Sequence, residues 1–176
     1  SPKVTLEGFS RGGLFAYNWA ADHPDKVACI YVDAPVCNVF SWPGRSPENA
    51  GLWKGLLEEW GLTDDQMNSF SGNPIDRLKP LADARIPVIC VCGDSDKVVP
   101  FSENSAIVRQ RYTAMGAPFE LILKPGVDHH PHSLSDPAPV VDFIIRHQPG
   151  YEAKQCYTLR GDYRNSYQMF EKERVG

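Results

Sequence analysis

Long hydrophobic runs are missing from this 176-residue chain: the longest apolar stretches, 27–32 and 87–92, are strand-sized, far short of the roughly 18 residues that a membrane-spanning helix needs. No membrane partner is therefore expected. Basic residues are not in excess, since 18 Lys and Arg stand against 22 Asp and Glu for a net charge of −4. Without a basic stripe to neutralise phosphates, nucleic-acid binding lacks its main energetic term, and that class of partner is set aside. Cysteine is scarce: there are five, an odd count, with no C-x-x-C spacing to suggest a zinc knuckle or dithiol redox motif. Cys90 and Cys92 lie two apart in an apolar run and are expected to face one layer of a sheet as small core residues. An initiating Met and a signal peptide are also missing. Ser1-Pro2-Lys3-Val4 runs straight into a strand, so the compartment is not readable.

What is present is an ordinary globular composition, 42% apolar and 23% charged, which excludes disorder of the whole chain and fits one domain. Short β-branched runs alternate with helical segments, as in a parallel sheet covered by helices. Strands are expected over 4–7, 27–32, 87–92 and 119–123, the last three apolar enough to be buried on both faces. A helix over 11–21 ends before Pro24. A second runs from near Ser102 to Gly116, a left-handed C-terminal cap. The last has Asp136 as N-cap and Pro137 at its first position, with Val140, Val141, Ile144 and Ile145 at core-facing spacing. Residues 38–80 interrupt the alternation with Trp42, Trp53, Trp60 and Phe70 on two short helices. One follows Ser46-Pro47 and ends at Gly61; the other follows Thr63, which Gln66 completes as a capping box. Such an insertion is either a lid whose aromatics meet a ligand or a segment whose aromatics pack it onto the body. Past Pro149-Gly150, residues 151–176 are polar with scattered aromatics and read as a tail or linker. There is no internal repeat and no low-complexity tract.

Chemistry concentrates in three places. Gly8-Phe9-Ser10-Arg11-Gly12 places G-x-S-x-G directly between a strand and a helix, where a serine is held in a strained turn with its hydroxyl above the sheet's C-terminal edge. Gly8 and Gly12 are expected because side chains there would collide across the turn. The helix beginning at Arg11 aims its free N–H groups at charge developing beside Ser10. A serine hydroxyl needs a base to take its proton and an acid to orient that base. Both follow in order: Asp94 and Asp96 lie past the third strand, and His129, His130 and His132 past the fourth. All would sit on one rim of a parallel sheet, where α/β enzymes bind ligands. The residues alone leave open which Asp and which His take part. The cluster Asp128, His129, His130 and His132 is an alternative metal-binding group. Zinc sites gather ligands from separated elements, and no second cluster is visible, so no metal and no cofactor is expected.

These motifs resemble the catalytic half of an α/β-hydrolase over residues 1–147. The resemblance implies a partial α/β-hydrolase fold, with about four parallel strands flanked by helices and a lid-like insertion at 38–80. In that family the acid commonly stands in G-x-x-D-x-x-V-P, which Gly93-Asp94-Ser95-Asp96-Lys97-Val98-Val99-Pro100 matches. The role falls on Asp96, leaving Asp94 as a turn-capping residue. The base follows a Gly-containing turn, matching His129, with His130 as the alternate. The backbone N–H of Arg11 is then one oxyanion-hole donor. The fold ordinarily has strands before the nucleophile, so the chain is expected to be a portion of a longer protein, contacting those strands. Residues 159–176 resemble the approach to an SGNH-type esterase domain in bacterial polysaccharide-processing proteins, which makes a following esterase domain a further expected contact.

The function expected from this reading is cleavage of carboxylic esters, with acetyl esters on carbohydrates as substrate, through Ser10, His129 and Asp96. A prolyl-oligopeptidase-like serine peptidase shares the motif order and is the alternative chemistry. A non-catalytic α/β-hydrolase-like binding module is the alternative of another class, since fold alone does not guarantee chemistry.

Overall fold

Apolar β-branched runs spaced by helical segments build a four-stranded sheet in a computed structural model that describes residues 3–147. The tail at 148–176, with its resemblance to the approach to an esterase domain, lies outside the described residues. The strands β1 (Val4–Phe9), β2 (Val27–Asp33), β3 (Val88–Gly93) and β4 (Phe119–Lys124) stand in the order β1-β2-β3-β4. All neighbours are parallel, with Phe9 opposite Asp33, Val32 opposite Cys90 and Cys90 opposite Leu121. Parallel pairing needs a crossover after each strand. Helices α1 (Arg11–Asp22), α2 (Ala50–Trp60), α3 (Lys79–Asp83) and α4 (Ser105–Ala114) lie in these crossovers, and α5 (Ala138–His147) follows the last strand.

Side chains of β2 and β3 alternate between two cores, as the two-residue period of a strand requires. Ile30, Val32, Val88, Cys90 and Cys92 pack with Tyr17 and Ala20 of α1, Leu81 of α3, and Val108 and Tyr112 of α4. Cys29, Tyr31, Ile89 and Val91 face the other way, onto Val140 and Phe143 of α5. Cys90 and Cys92 thus share one layer, as their spacing predicts, and hydrogen bonding with the Cys92 thiol, together with burial, pushes the Cys90 thiol up. β4 corrects the expectation of burial on both faces. It is an edge strand among the described residues, and Glu120 and Leu123 are exposed.

Two helices differ from their sequence patterns for identifiable reasons. The helix expected from Ser102 is a 3₁₀ turn, Phe101–Glu103, followed by a break at Asn104 (φ −126°, ψ −94°) and then α4. Asn104 is taken out of the helix because its buried amide serves the insertion: Oδ1 accepts the N–H groups of Cys37 and Asn38 at 2.9 and 3.0 Å, and Nδ2 donates to Ser41 Oγ and the Pro100 carbonyl. In α5 the Asp136 cap is present, its Oδ1 accepting the Ala138 N–H at 3.0 Å. The buried face, however, centres on Val140 and Phe143, with Val141, Ile144 and Ile145 only half-buried.

The insertion packs onto the body through its aromatics. Trp53 and Met67 close a cluster with Leu14, Val36, Val39 and Val99, against which Trp42, Trp60 and Phe70 lie half-buried. Trp53 Nε1 donates to Asp64 Oδ1 at 2.7 Å, and Trp60 stacks on Phe70. Gly61 ends α2 in the left-handed region (φ 63°). The Thr63–Gln66 box is closed in both directions, although it opens a 3₁₀ turn, Gln66–Ser69, and not an α-helix. Among the described residues no helix is long and apolar enough to cross a membrane.

The position of Phe143 can be checked directly. Truncating a fully buried Phe costs about 3–5 kcal/mol, so Phe143→Ala should lower the denaturant midpoint of this domain far more than Ile145→Ala does. Equal losses would mean that α5 docks through a different face.

Candidate active site

The turn after β1 holds Ser10 at φ 49° and ψ −116°, a conformation that side-chain-bearing residues rarely adopt. Neighbouring backbone fixes it there. Ser10 N–H donates to the Asp33 carbonyl at 2.9 Å, and the Ser10 carbonyl accepts the N–H groups of Gly13 and Val36 at 3.0 and 2.9 Å. A Cβ on Gly8 would lie 2.5 Å from the Gly12 carbonyl oxygen, so Gly8 is required as expected. Gly12 is not: a Cβ there meets nothing within 4 Å, and it is Gly13 whose side chain would run into Pro35. The turn is therefore tight at Gly8, and a second close approach, between α1 and the chain leaving β2, falls at Gly13. Arg11 opens α1, and the first N–H groups of a helix have no intrahelical acceptor. Its guanidinium lies 5.9 Å from the Trp42 ring centroid. Beside it, Leu14, Trp42, Leu56 and Trp60 help to wall a cavity of about 380 Å³ between α1 and α2.

Ser10, Asp96 and His129 come together on the rim formed by the C-terminal ends of the strands. His129 Nε2 lies 3.0 Å from Ser10 Oγ, and His129 Nδ1 lies 2.7 Å from Asp96 Oδ2. A carboxylate can only accept, so Nδ1 carries the proton and Nε2 turns its lone pair to the serine hydroxyl. The Asp96 side chain is 1% exposed and that of His129 is 8% exposed. Asp96 Oδ1 is held in turn by the N–H groups of Val98 and Val99 at 2.9 and 2.8 Å.

Asp94 sits outside this chain of bonds. Its Oδ1 accepts the Ser95 hydroxyl and the Gly126 N–H at 2.8 and 2.7 Å, tying the loop after β3 to the turn after β4. A Cβ on Gly93 would strike the Val127 carbonyl, so the two loops touch through backbone. Asp128 adds a further tie, with Oδ1 accepting the Lys97 and His129 N–H groups at 2.9 and 2.7 Å. Those two bonds hold its carboxyl below the usual carboxylate range. His130 is exposed, and its ring meets His129 edge-on at 5.0 Å.

One participant escapes the sequence reading. Asp33 ends β2 with no exposure, and its Oδ1 lies 3.0 Å from His132 Nδ1. Oδ2 accepts the Ser133 N–H at 2.6 Å and the Tyr31 hydroxyl at 3.4 Å. Burial pushes the Tyr31 phenol up to about 12, and the Asp33 carboxylate adds to the shift, so the phenol remains a donor. The signal available in the sequence is a lone carboxylate closing an otherwise apolar strand. Such a charge is almost never buried without partners.

The sequence model of the prolyl oligopeptidase family matches residues 1–147. Among solved structures, a puromycin hydrolase is similar at 19% identity with a TM-score of 0.55, over 80% of this chain and 20% of that one. A dipeptidyl peptidase 4 from Porphyromonas gingivalis is similar at 16% identity with a TM-score of 0.55, over 79% of this chain and 18% of that one. The chain thus spans about a fifth of the length of the structures it matches. No curated protein is similar enough to this chain to count as a relative.

The Asp128 tie carries a pH signature. A carboxyl whose folded-state pKa is lowered contributes fully above its unfolded value, about 3.9, and loses that contribution as pH falls through the folded value. In a carboxyl-carbon NMR titration Asp128 should titrate below that reference, and Asp128→Asn should remove its share of the acid-side loss of stability. A titration at or above the reference would mean that the two N–H bonds do not hold in solution.

Proposed function

Because the chain belongs to the prolyl oligopeptidase family, within the α/β-hydrolase superfamily, we propose that it forms the catalytic portion of a serine peptidase acting through an acyl-enzyme. The observation that carries this reading is the continuous hydrogen-bond chain from Ser10 through His129 to Asp96. Ser10 Oγ attacks the scissile carbonyl carbon while its proton passes to His129 Nε2. Asp96 holds the imidazole in the required tautomer and stabilises the imidazolium. The oxyanion accepts from the Arg11 N–H at the positive end of α1. His129 then gives the proton to the leaving amine as the C–N bond breaks, and water repeats the cycle on the acyl-enzyme. Family membership favours a peptide amide over the acetyl ester expected from the sequence, since that ester rested on a resemblance in residues outside those described. An intact bonding chain, buried at Asp96 and His129 and reaching a half-buried Ser10, also argues against the non-catalytic binding module.

In the full-length protein, Ser10→Ala should abolish labelling by a fluorophosphonate probe. Ser10→Ala and His129→Ala should each lower turnover of dipeptidyl p-nitroanilides by several orders of magnitude, because such residues act as a unit. Cys90→Ala and Cys92→Ala should act on stability alone. Undiminished turnover in Ser10→Ala would refute nucleophilic catalysis by this serine. Acetate release from an acetylated oligosaccharide with no amide cleavage would replace the peptidase by the esterase.

A further inference from the structure

The loop after β4 places three histidines side by side. One ring nitrogen from each of His129, His130 and His132 lies within 4.8 Å of one from each of the others. Two of them are already arranged as metal ligands usually are, with the far ring nitrogen bound to a carboxylate that fixes the tautomer and raises the basicity of the near one. His129 has its Nδ1 on Asp96 and His132 has its Nδ1 on Asp33, and both carboxylates are buried. The two Nε2 atoms therefore carry the available lone pairs. His130 is exposed and makes no hydrogen bond among the described residues, leaving its ring free to turn.

From this arrangement we propose a second, inhibitory state of the site, in which a Zn²⁺ ion is held by His129, His130 and His132 with the fourth position open to water. Bond lengths of 2.0–2.1 Å in a tetrahedral site bring ligand nitrogens to about 3.4 Å from one another, so the three rings need only draw in, and the exposed His130 moves most freely. Two carboxylates from separate strand ends, Asp33 closing β2 and Asp96 beyond β3, hold the far nitrogens of two rings and supply the support that a bare His cluster on one loop lacks. Coordination occupies the same Nε2 lone pair that takes the Ser10 proton, so metal binding and general-base catalysis exclude each other. The inhibitory consequence rests on the peptidase reading; the metal site does not.

The test uses the full-length protein in metal-free buffer with two readouts, Co²⁺ absorption and the rate of fluorophosphonate labelling as Zn²⁺ is added. Wild type should give the intense visible bands of tetrahedral Co²⁺, and micromolar Zn²⁺ should suppress labelling reversibly on addition of EDTA. His130→Gln should weaken the Co²⁺ bands. Referred to its own metal-free rate, it should also need at least about tenfold more Zn²⁺ for half-suppression, because losing a direct ligand costs no less than the roughly 10–100-fold seen when a site loses a supporting partner. Failure to bind Co²⁺, or equal Zn²⁺ sensitivity in His130→Gln, would overturn the proposal. Co²⁺ bands in a protein that is not labelled even without metal would sustain the metal site and overturn the hydrolase reading instead.

Discussion

The contact at Gly93 is the constraint on which the rest of the site depends. Here the end of β3 comes so close to the chain leaving β4 that no side chain fits between them. Two loops that must each position one group are thereby made into a single object. Asp94 bonds across to the Gly126 N–H, Ser95 N–H donates to the Val127 carbonyl, and Asp128 reaches back to the Lys97 N–H. The Asp96–His129 bond forms inside this lattice of backbone contacts, so its 2.7 Å length does not depend on the two side chains finding each other unaided. Preorganisation of this kind is what lets a hydrogen-bonded pair act without reorganising during a reaction.

The same logic governs the serine. Its left-handed backbone is unfavourable by itself, and the structure over-determines it through bonds to both the end of β2 and the chain beyond it. The insertion at 38–80 belongs to this support. Its first residues are tied by the buried Asn104 amide, and its aromatics pack against Leu14 of α1. An element that looks like a lid in outline is therefore also part of the wall behind the turn.

Much of the architecture was legible because each strand announces itself by an apolar run and each functional group follows such a run. A serine, an aspartate pair and a histidine cluster, each following a strand in that order, were enough to place the chemistry on one rim, and the family's motif was needed to single out Asp96 and His129. What escaped legibility depended on contacts between segments distant in sequence. Nothing near Gly12 or Gly13 reveals that Pro35 packs against the second and not the first. Asn104 reads as an ordinary helical residue until the backbone of Cys37 and Asn38 requires its amide. Asp33 and His132 are separated by 99 positions, and only the path of the loop after β4 back over the end of β2 unites them. In α5 the apolar positions were visible, but which of them faces the sheet depends on the angle at which the helix docks, and that favours Phe143 over Ile145.

The distance along the chain between Ser10 and His129, 119 positions, also has a meaning in time. A ribosome adds about 5–20 residues each second, so on the order of 6 to 24 seconds separate the synthesis of Ser10 from that of His129. Throughout that interval the nascent chain carries Ser10 without the imidazole that stands 3.0 Å from its hydroxyl in the folded protein. β4 is the last of the described strands to emerge, and its docking brings in the imidazole. The hydrogen-bond chain through Ser10, His129 and Asp96 is thus assembled only once β4 has joined β3.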